Sequence, residues 1–481
     1  MKIAIFAPYA TVAPHFETEL ELAQQHLDNG DEVITVSCSG QLVNCDFNID
    51  RSQARCDECI GRRKMGWELV SPQLSPKQMR QLVQLTPPPD QLRLDFEEVS
   101  ALIDYRIDDF EIGYASLSSL VSIVRDPEPD LMKNRPLLNR FLTSAWQSYQ
   151  NTLQFLEANQ VDRVYTFNGR FAAMRGVLRA CQRMEVDCFL HERGCNKAHY
   201  EVFENHLPHD IDAIHRSIER LWDAADPCAR EDVGRQWFLD RINRVETAWK
   251  SFTTAQEFGR LPAGFDSANK NIAIFCSSDD EFVAIGDKWQ NALYPNQVTA
   301  ISQIASSMLE RQPETKLYLR VHPNLTDVDN QRKRDMLNLN FPNLTIIAPD
   351  ADCDTYQLLK SCDVTVSFGS SVGIEAVYWD RPSVLLGPCL YQNLPGPVRS
   401  NSHQQTIELL SSNLPASTDK SGALRYGHWF QTRGFPHKYY VAESLFEGKF
   451  KDQVVYARPP RRNMLQKIRD RVARIASKTS S

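Results

Sequence analysis

Two Rossmann-like α/β domains are what this sequence predicts, and three observations carry that expectation. Apolar runs alternate with stretches of helical spacing from the first residues onward, and the same alternation restarts near residue 271. The chain also has 481 residues, beyond the roughly 100–200 of a single domain.

The first strand is "KIAIFA". Residues 14–29 follow with helical spacing and stop at Asn29-Gly30, and "EVITVSC" is the next strand. That order predicts a parallel βαβ unit. Residues 50–150 show no clean alternation and contain proline-rich turns at "TPPPD" and "RDPEP". The pattern returns with a helix at 138–158, the strand "RVYTF", a helix at 171–184 and the strand "DCFLHE". Further helices are expected at 211–224 and 229–252. A turn-rich stretch, "FGRLPAGFDSANKN", marks the boundary.

Beyond it run a strand at 271–276, a helix near 296–309, "KLYLRV", a helix near 331–338 and "LTIIAP". A helix at 354–361, "DVTVSF", a helix at 371–379 and "SVLLG" complete the series. The expected division is 1–265, 266–410 and a C-terminal extension at 411–481. Two open sheets in one chain make a cleft, and ligands of such sheets bind outside the carboxyl ends of the strands.

Composition narrows the classes. With 42% hydrophobic and 24% charged residues, this is the makeup of a globular protein. A net charge of −7 argues against broad nucleic-acid binding. No signal peptide is expected: "MKIAIFAPYA" has one basic residue and an apolar strand-like run, followed by "TVAPHFETEL" with no cleavage pattern at the expected place. No run approaches the ~18 apolar residues of a spanning helix. A cytoplasmic location is therefore expected, with the twelve cysteines as thiols or ligands rather than disulfides.

Three strand ends in the second half carry polar chemistry. In "FGSSVGIEAVYWDRPSVLLG" (368–387), Gly369 and Gly373 permit a tight turn, and Ser370 and Ser371 place hydroxyls and N–H groups at a helix start. Glu375 lies further into that helix, where a carboxylate accepts from sugar hydroxyls but repels phosphate. The spacing is neither a Walker A nor a dinucleotide fingerprint, so ATPase and dehydrogenase readings are unsupported. Read locally, the serines only cap and the glycines only turn. "YLRVHPN" sets His322 and Pro323 after an apolar strand, and "CSSDDEF" sets Ser277 and Ser278 after the domain's first strand. A histidine there either binds phosphate and acts as an acid or simply organises its loop. Three such loops on one edge agree better than any alone.

These motifs resemble GT-B glycosyltransferases of the bacterial capsule-polysaccharide biosynthesis type. By that resemblance, His322 and Pro323 match an HP element, and Ser370 with Ser371 match a serine turn that contacts nucleotide-sugar phosphate. Glu375 matches a ribose-binding carboxylate, and "RPSVLLG" follows in its usual place. The resemblance implies two facing Rossmann-like domains and a nucleotide-sugar donor that is UDP-, GDP- or CMP-linked. It implies a glycan or lipid-linked glycan acceptor and no catalytic metal. Alternatives are a teichoic-acid-type polyol-phosphate transferase, a UDP-sugar epimerase, and a nucleotide-sugar-binding protein without turnover.

In this reading the first domain faces the acceptor. His15 falls after the first strand, "FNGRF" carries Asn168 and Arg170, and "FLHERGC" carries His191, Glu192 and Arg193. Glu192 is the first candidate for the base, ahead of His15 and His191. Arg170 is a candidate for donor phosphate or for an ion pair with Glu192. Glu17 and Glu19 read as first-turn carboxylates.

Two features stand apart. Cys38, Cys45, Cys56 and Cys59 crowd into C-x6-C-x10-C-x2-C, which fits a structural zinc site or a set of unliganded thiols. The tail from Ala457 holds eight Arg/Lys against one Asp, with Met464, Leu465, Ile468, Val472 and Ile475 near helical spacing. A basic amphipathic helix of that kind either touches an anionic membrane surface or packs on the body.

Overall fold

A computed structural model describes residues 1–83, 92–247, 249 and 251–455. The first sheet holds β1 (Lys2–Ala7), β2 (Glu32–Ser37), β3 (Met79–Gln81), β4 (Arg163–Phe167), β5 (Asp187–Arg193) and β6 (His199–Glu204). The second holds β7 (Asn271–Phe275), β8 (Lys316–Arg320), β9 (Leu344–Ile347), β10 (Val364–Ser367), β11 (Ser383–Leu385) and β12 (Val398–Arg399). Near the C-terminus lie β13 (Phe435–Pro436), β14 (Tyr440–Ala442) and β15 (Gly448–Phe450).

The strand orders are β13-β6-β5-β4-β1-β2-β3 and β12-β11-β10-β7-β8-β9. In both domains the first strand sits mid-sheet, and the chain winds first to one side and then to the other. The two-domain Rossmann-like architecture expected from the sequence is thus present. All pairs of the second sheet are parallel. Its central strands are apolar because helices cover both faces; β7 is buried at every position.

Most expected elements fall within a few residues of their predicted bounds. The expected helix 229–252 is shorter, Arg230–Ile242, and Arg244 beyond it turns left-handed at φ 61°. The opaque region 50–150 folds into helices Gln53–Leu69, Ile112–Val124 and Arg135–Ala158 with short pieces between. Ile112–Val124, Arg135–Ala158 and the helix Ala172–Arg183 share one hydrophobic cluster that includes Leu120, Phe141 and Tyr149.

The C-terminal segment returns to the first domain. β13 pairs antiparallel with β6. Glu21, buried on helix His15–Asp28, accepts the backbone N–H groups of Lys438, Tyr439 and Tyr440 at 2.7, 2.8 and 3.0 Å. Helix Ser421–Thr432 crosses Arg230–Ile242 so closely that a Cβ on Gly427 would meet the carbonyl of Gly234. Phe238 stacks on Tyr378 of the second domain at 4.0 Å and 6°. These two helices therefore fasten one domain to the other. The basic tail from Ala457 lies outside the described residues. No described helix is long and apolar enough to cross a membrane.

Candidate functional site

The carboxyl ends of β7 and β10 are neighbours in the second sheet, at the point where the winding reverses. The loops after them carry Ser277, Ser278, Gly369, Ser370 and Ser371. Gly369 has φ 125°, and a Cβ there would lie 2.6 Å from the carbonyl of Pro388, so only glycine fits. Ser278 Oγ donates to Asp280 at 2.6 Å. Ser277 Oγ is buried without a hydrogen-bond partner and lines a cavity of about 310 Å³ with Gly369, Asp279, Glu128 and Arg332. Burial pushes the Asp279 carboxyl up to about 7, against a bond from Gln297 and the charge of Arg332.

His322 stands two residues past Arg320, the end of β8, followed by the short turn Pro323–Leu325. The N–H of Asn324 donates to His322 Nδ1 at 3.1 Å. A neutral His322 therefore carries its proton on Nε2, where it is a donor. Burial lowers its pKa to about 4; the Asp280 charge works against this, and Arg320, Arg241 and Arg125 add to it. The three guanidinium groups are each held by a partner: Arg125 by Asp280, Arg241 by Glu375, and Arg320 by the carbonyls of Ala348 and Ala351.

Glu375 is fully buried. Its Oε1 accepts from Arg241 Nε at 3.0 Å and from Ser371 Oγ at 2.8 Å, and its Oε2 accepts from Tyr356 O–H at 2.7 Å. Arg241 also reaches Ser371 Oγ at 3.2 Å. The serine turn and the carboxylate are one network, closed by an arginine from the helix that bridges the domains. Ser370 faces inward through its backbone, its carbonyl accepting from Ser367 and Tyr391.

On the first domain, Glu192 lies at the end of β5. Asn168, left-handed at φ 54°, donates to Glu192 Oε1 at 2.5 Å, and the N–H of Arg193 donates to Oε2 at 3.2 Å. Burial raises the Glu192 carboxyl. His15 begins its helix with its ring 4.1 Å from that of Phe167, and burial, His191 and Arg193 hold it well below the usual histidine range.

Three expectations for site residues need correction. His191 is fully buried between His15, Phe167 and Glu19, its Nε2 3.4 Å from Glu19 Oε1, so it is a core group without access to an acceptor. Arg170 neither pairs with Glu192 nor points to a free phosphate position. It donates to Ser118 and Ser122 at 3.0 and 2.9 Å and to the carbonyls of Glu281 and Asp280 at 2.5 and 3.1 Å. Arg175 adds the carbonyl of Ile285 at 3.1 Å. These arginines tie the loop after β7 to the first domain.

The cysteines are the third. Cys38, Cys45, Cys56 and Cys59 line one cavity of about 140 Å³. No group of three or more metal-ligating side chains among the described residues is placed to hold an ion. Cys56 Sγ accepts from Asn48 and Cys59 Sγ from Arg63, each at 3.2 Å.

Arg241, Arg125, Asn324 and Asp279 were not singled out from the sequence. Asp279 and Asn324 carried a signal, their places inside "CSSDDEF" and "YLRVHPN".

Residues 277–407 match the capsule polysaccharide biosynthesis protein family. That stretch is the second domain from the loop after β7 to the helix beyond β12, and the match bears out the family recognition made from its motifs. No curated protein matches the chain. Among solved structures, KpsC of Thermosulfurimonas dismutans, a β-Kdo 2,4 transferase, is similar at 11% identity and a TM-score of 0.37, over 56% of this chain and 79% of that one. The UDP-GlcNAc 2-epimerase of Methanocaldococcus jannaschii is similar at 9% identity and 0.27, over 88% and 98%. The spinosyn rhamnosyltransferase SpnG is similar at 12% identity and 0.28, over 90% and 96%.

Proposed function

We propose that this chain is a nucleotide-sugar-dependent glycosyltransferase of capsule polysaccharide synthesis. The observation that carries the reading is His322, whose backbone-fixed tautomer presents an Nε2–H donor at the turn where Arg125 reaches the carbonyl of Asn324 at 3.3 Å. That arrangement suits a leaving phosphate, which gains charge as the glycosidic bond breaks. The match of residues 277–407 to the capsule family supports the same substrate class.

Glu192 is the base in this scheme, held in position by Asn168. The acceptor hydroxyl oxygen bonds to the anomeric carbon, and the bond from that carbon to phosphate oxygen breaks with its electrons going to phosphate. The hydroxyl proton passes to Glu192. A raised carboxyl is a better proton acceptor than an ordinary one, provided it is ionised when substrate arrives.

Thermal-shift titration with CMP-, UDP- and GDP-linked sugars tests the reading. One donor class should stabilise the protein, and His322→Ala should abolish that shift. Absence of a shift with all three would remove the transferase assignment.

A further inference from the structure

Trp249, in the connection between the domains, and Phe446, between β14 and β15, form an aromatic pair with no role in the scheme above. Trp249 is 48% exposed and Phe446 51% exposed, large values for rings of their size. Their centroids are 5.7 Å apart at 76°. The Arg193 guanidinium lies 5.3 Å from the Trp249 ring and 5.0 Å from the Phe446 ring. It is anchored by bonds to the carbonyls of Leu445 at 2.7 Å and Ala13 at 3.0 Å. The pair is thus held from three parts of the chain, yet both rings stay open to solvent.

Its position is informative. Arg193 directly follows Glu192, and Ala13 lies two residues before His15. Phe252, three residues after Trp249 and so within about 11 Å along the chain, packs edge-on against the His322 ring at 5.3 Å. The exposed rings are thus linked through Arg193 to the strand end that carries Glu192, and Trp249 is near in sequence to the ring that packs on His322.

We propose that Trp249 and Phe446, steadied by Arg193, form the platform that receives a pyranose ring of the glycan acceptor. This rests on the transferase reading. A pyranose presents weakly positive C–H groups on one face, and an aromatic ring presents a negative face to meet them. The hydroxyls at the sugar's rim stay in water or reach polar neighbours. A nucleobase is the competing occupant of any exposed ring. The donor motifs all lie on the second domain, whereas Arg193 and Phe446 belong to the first, which favours the acceptor.

The test is native electrophoresis of the full chain in gels cast with the encoding organism's purified surface polysaccharide, beside titrations with CMP, UDP and GDP. Retardation by the polysaccharide should fall about tenfold in Trp249→Ala and in Phe446→Ala, with nucleotide binding unchanged. Trp249→Tyr should keep most of it, which a general loss of structure would not allow. Unretarded wild type, or alanine variants retarded as well as wild type, would overturn the platform. Weakened nucleotide binding with normal retardation would overturn it too and assign the rings to the donor. Nucleotide binding is measured separately, so failure of the transferase reading stays distinguishable.

Discussion

Arg241 Nε donates to Glu375 Oε1 at 3.0 Å, across the junction between the bridging helix and the helix that follows β10. The carboxylate is fully buried, whereas the arginine side chain is 40% exposed. Removing the arginine leaves a buried charge with only two hydroxyl partners, Ser371 and Tyr356. Arg241→Met is therefore expected to cost about 2–3 kcal/mol in urea unfolding, less than a fully buried pair because solvent screens the arginine. Glu375→Gln in that background should recover part of the loss. Additive effects would show that the pair is not coupled.

Asp279 makes stability depend on pH in a predictable direction. Its folded value is raised to about 7, above the roughly 3.9 of a free carboxyl. Its contribution is fully present below about pH 4 and is lost as pH rises to 7, because only the folded chain still holds the proton. Asp279→Asn keeps an acceptor for Gln297 and removes the titration. The variant should gain about 2–3 kcal/mol relative to wild type on going from pH 5 to pH 8. Parallel stability curves for the two proteins would contradict the raised carboxyl.

Strand ends were the legible part of the site. His322, Ser277 and the serine turn follow apolar runs, and a parallel strand announces its own carboxyl end. Arg241 was not legible, because nothing near residue 241 signals a partner 134 residues away. The acids of the first helix show the same limit. Glu17 and Glu19 read as first-turn carboxylates and Glu21 carried no signal, yet Arg62, His191 and the backbone of Lys438–Tyr440 meet them in the core. β6 was missed because "HYEVFE" is short and polar, and its pairing with β5 is antiparallel. Periodicity reports which face is buried, and it is silent on what a buried charge meets there.

The cysteine cavity makes a prediction about metal content. With no group of three or more ligating side chains placed to hold an ion among the described residues, protein purified without added zinc should contain well under one equivalent. Cys56→Ser with Cys59→Ser should leave the melting temperature within about 2 °C, since each substitution keeps a hydrogen-bond acceptor. One tightly held equivalent, lost together with stability in the double variant, would restore the zinc reading.

Arg170 is expected to act as a latch. Its guanidinium is shared between two serines of helix Ile112–Val124 and two carbonyls of the loop after β7. Lysine has no planar fork and cannot reproduce four such bonds. Arg170→Lys should raise amide hydrogen exchange in residues 279–285 by about tenfold or more while β1 stays protected. Unchanged exchange in that loop would show that Arg125 and Arg175 hold it without Arg170.

Glu192 separates chemistry from binding. Among the described residues its carboxylate accepts from Asn168 and the N–H of Arg193, and the candidate phosphate donor His322 belongs to the other domain. Glu192→Gln preserves size and the acceptor for Asn168 but cannot take a proton. Loss of a general base typically costs about 10²–10⁴-fold in rate. The variant should bind donor as wild type does, with kcat reduced in that range and the acceptor KM nearly unchanged. Asn168→Ala frees the carboxylate to move, so it should lower kcat less and shift the acidic limb of the pH–rate profile, because Asn168 opposes the burial that raises Glu192. With that bond gone the limb moves to higher pH. A Glu192→Gln enzyme of normal kcat would place the base elsewhere, and His15 would be the next group to replace.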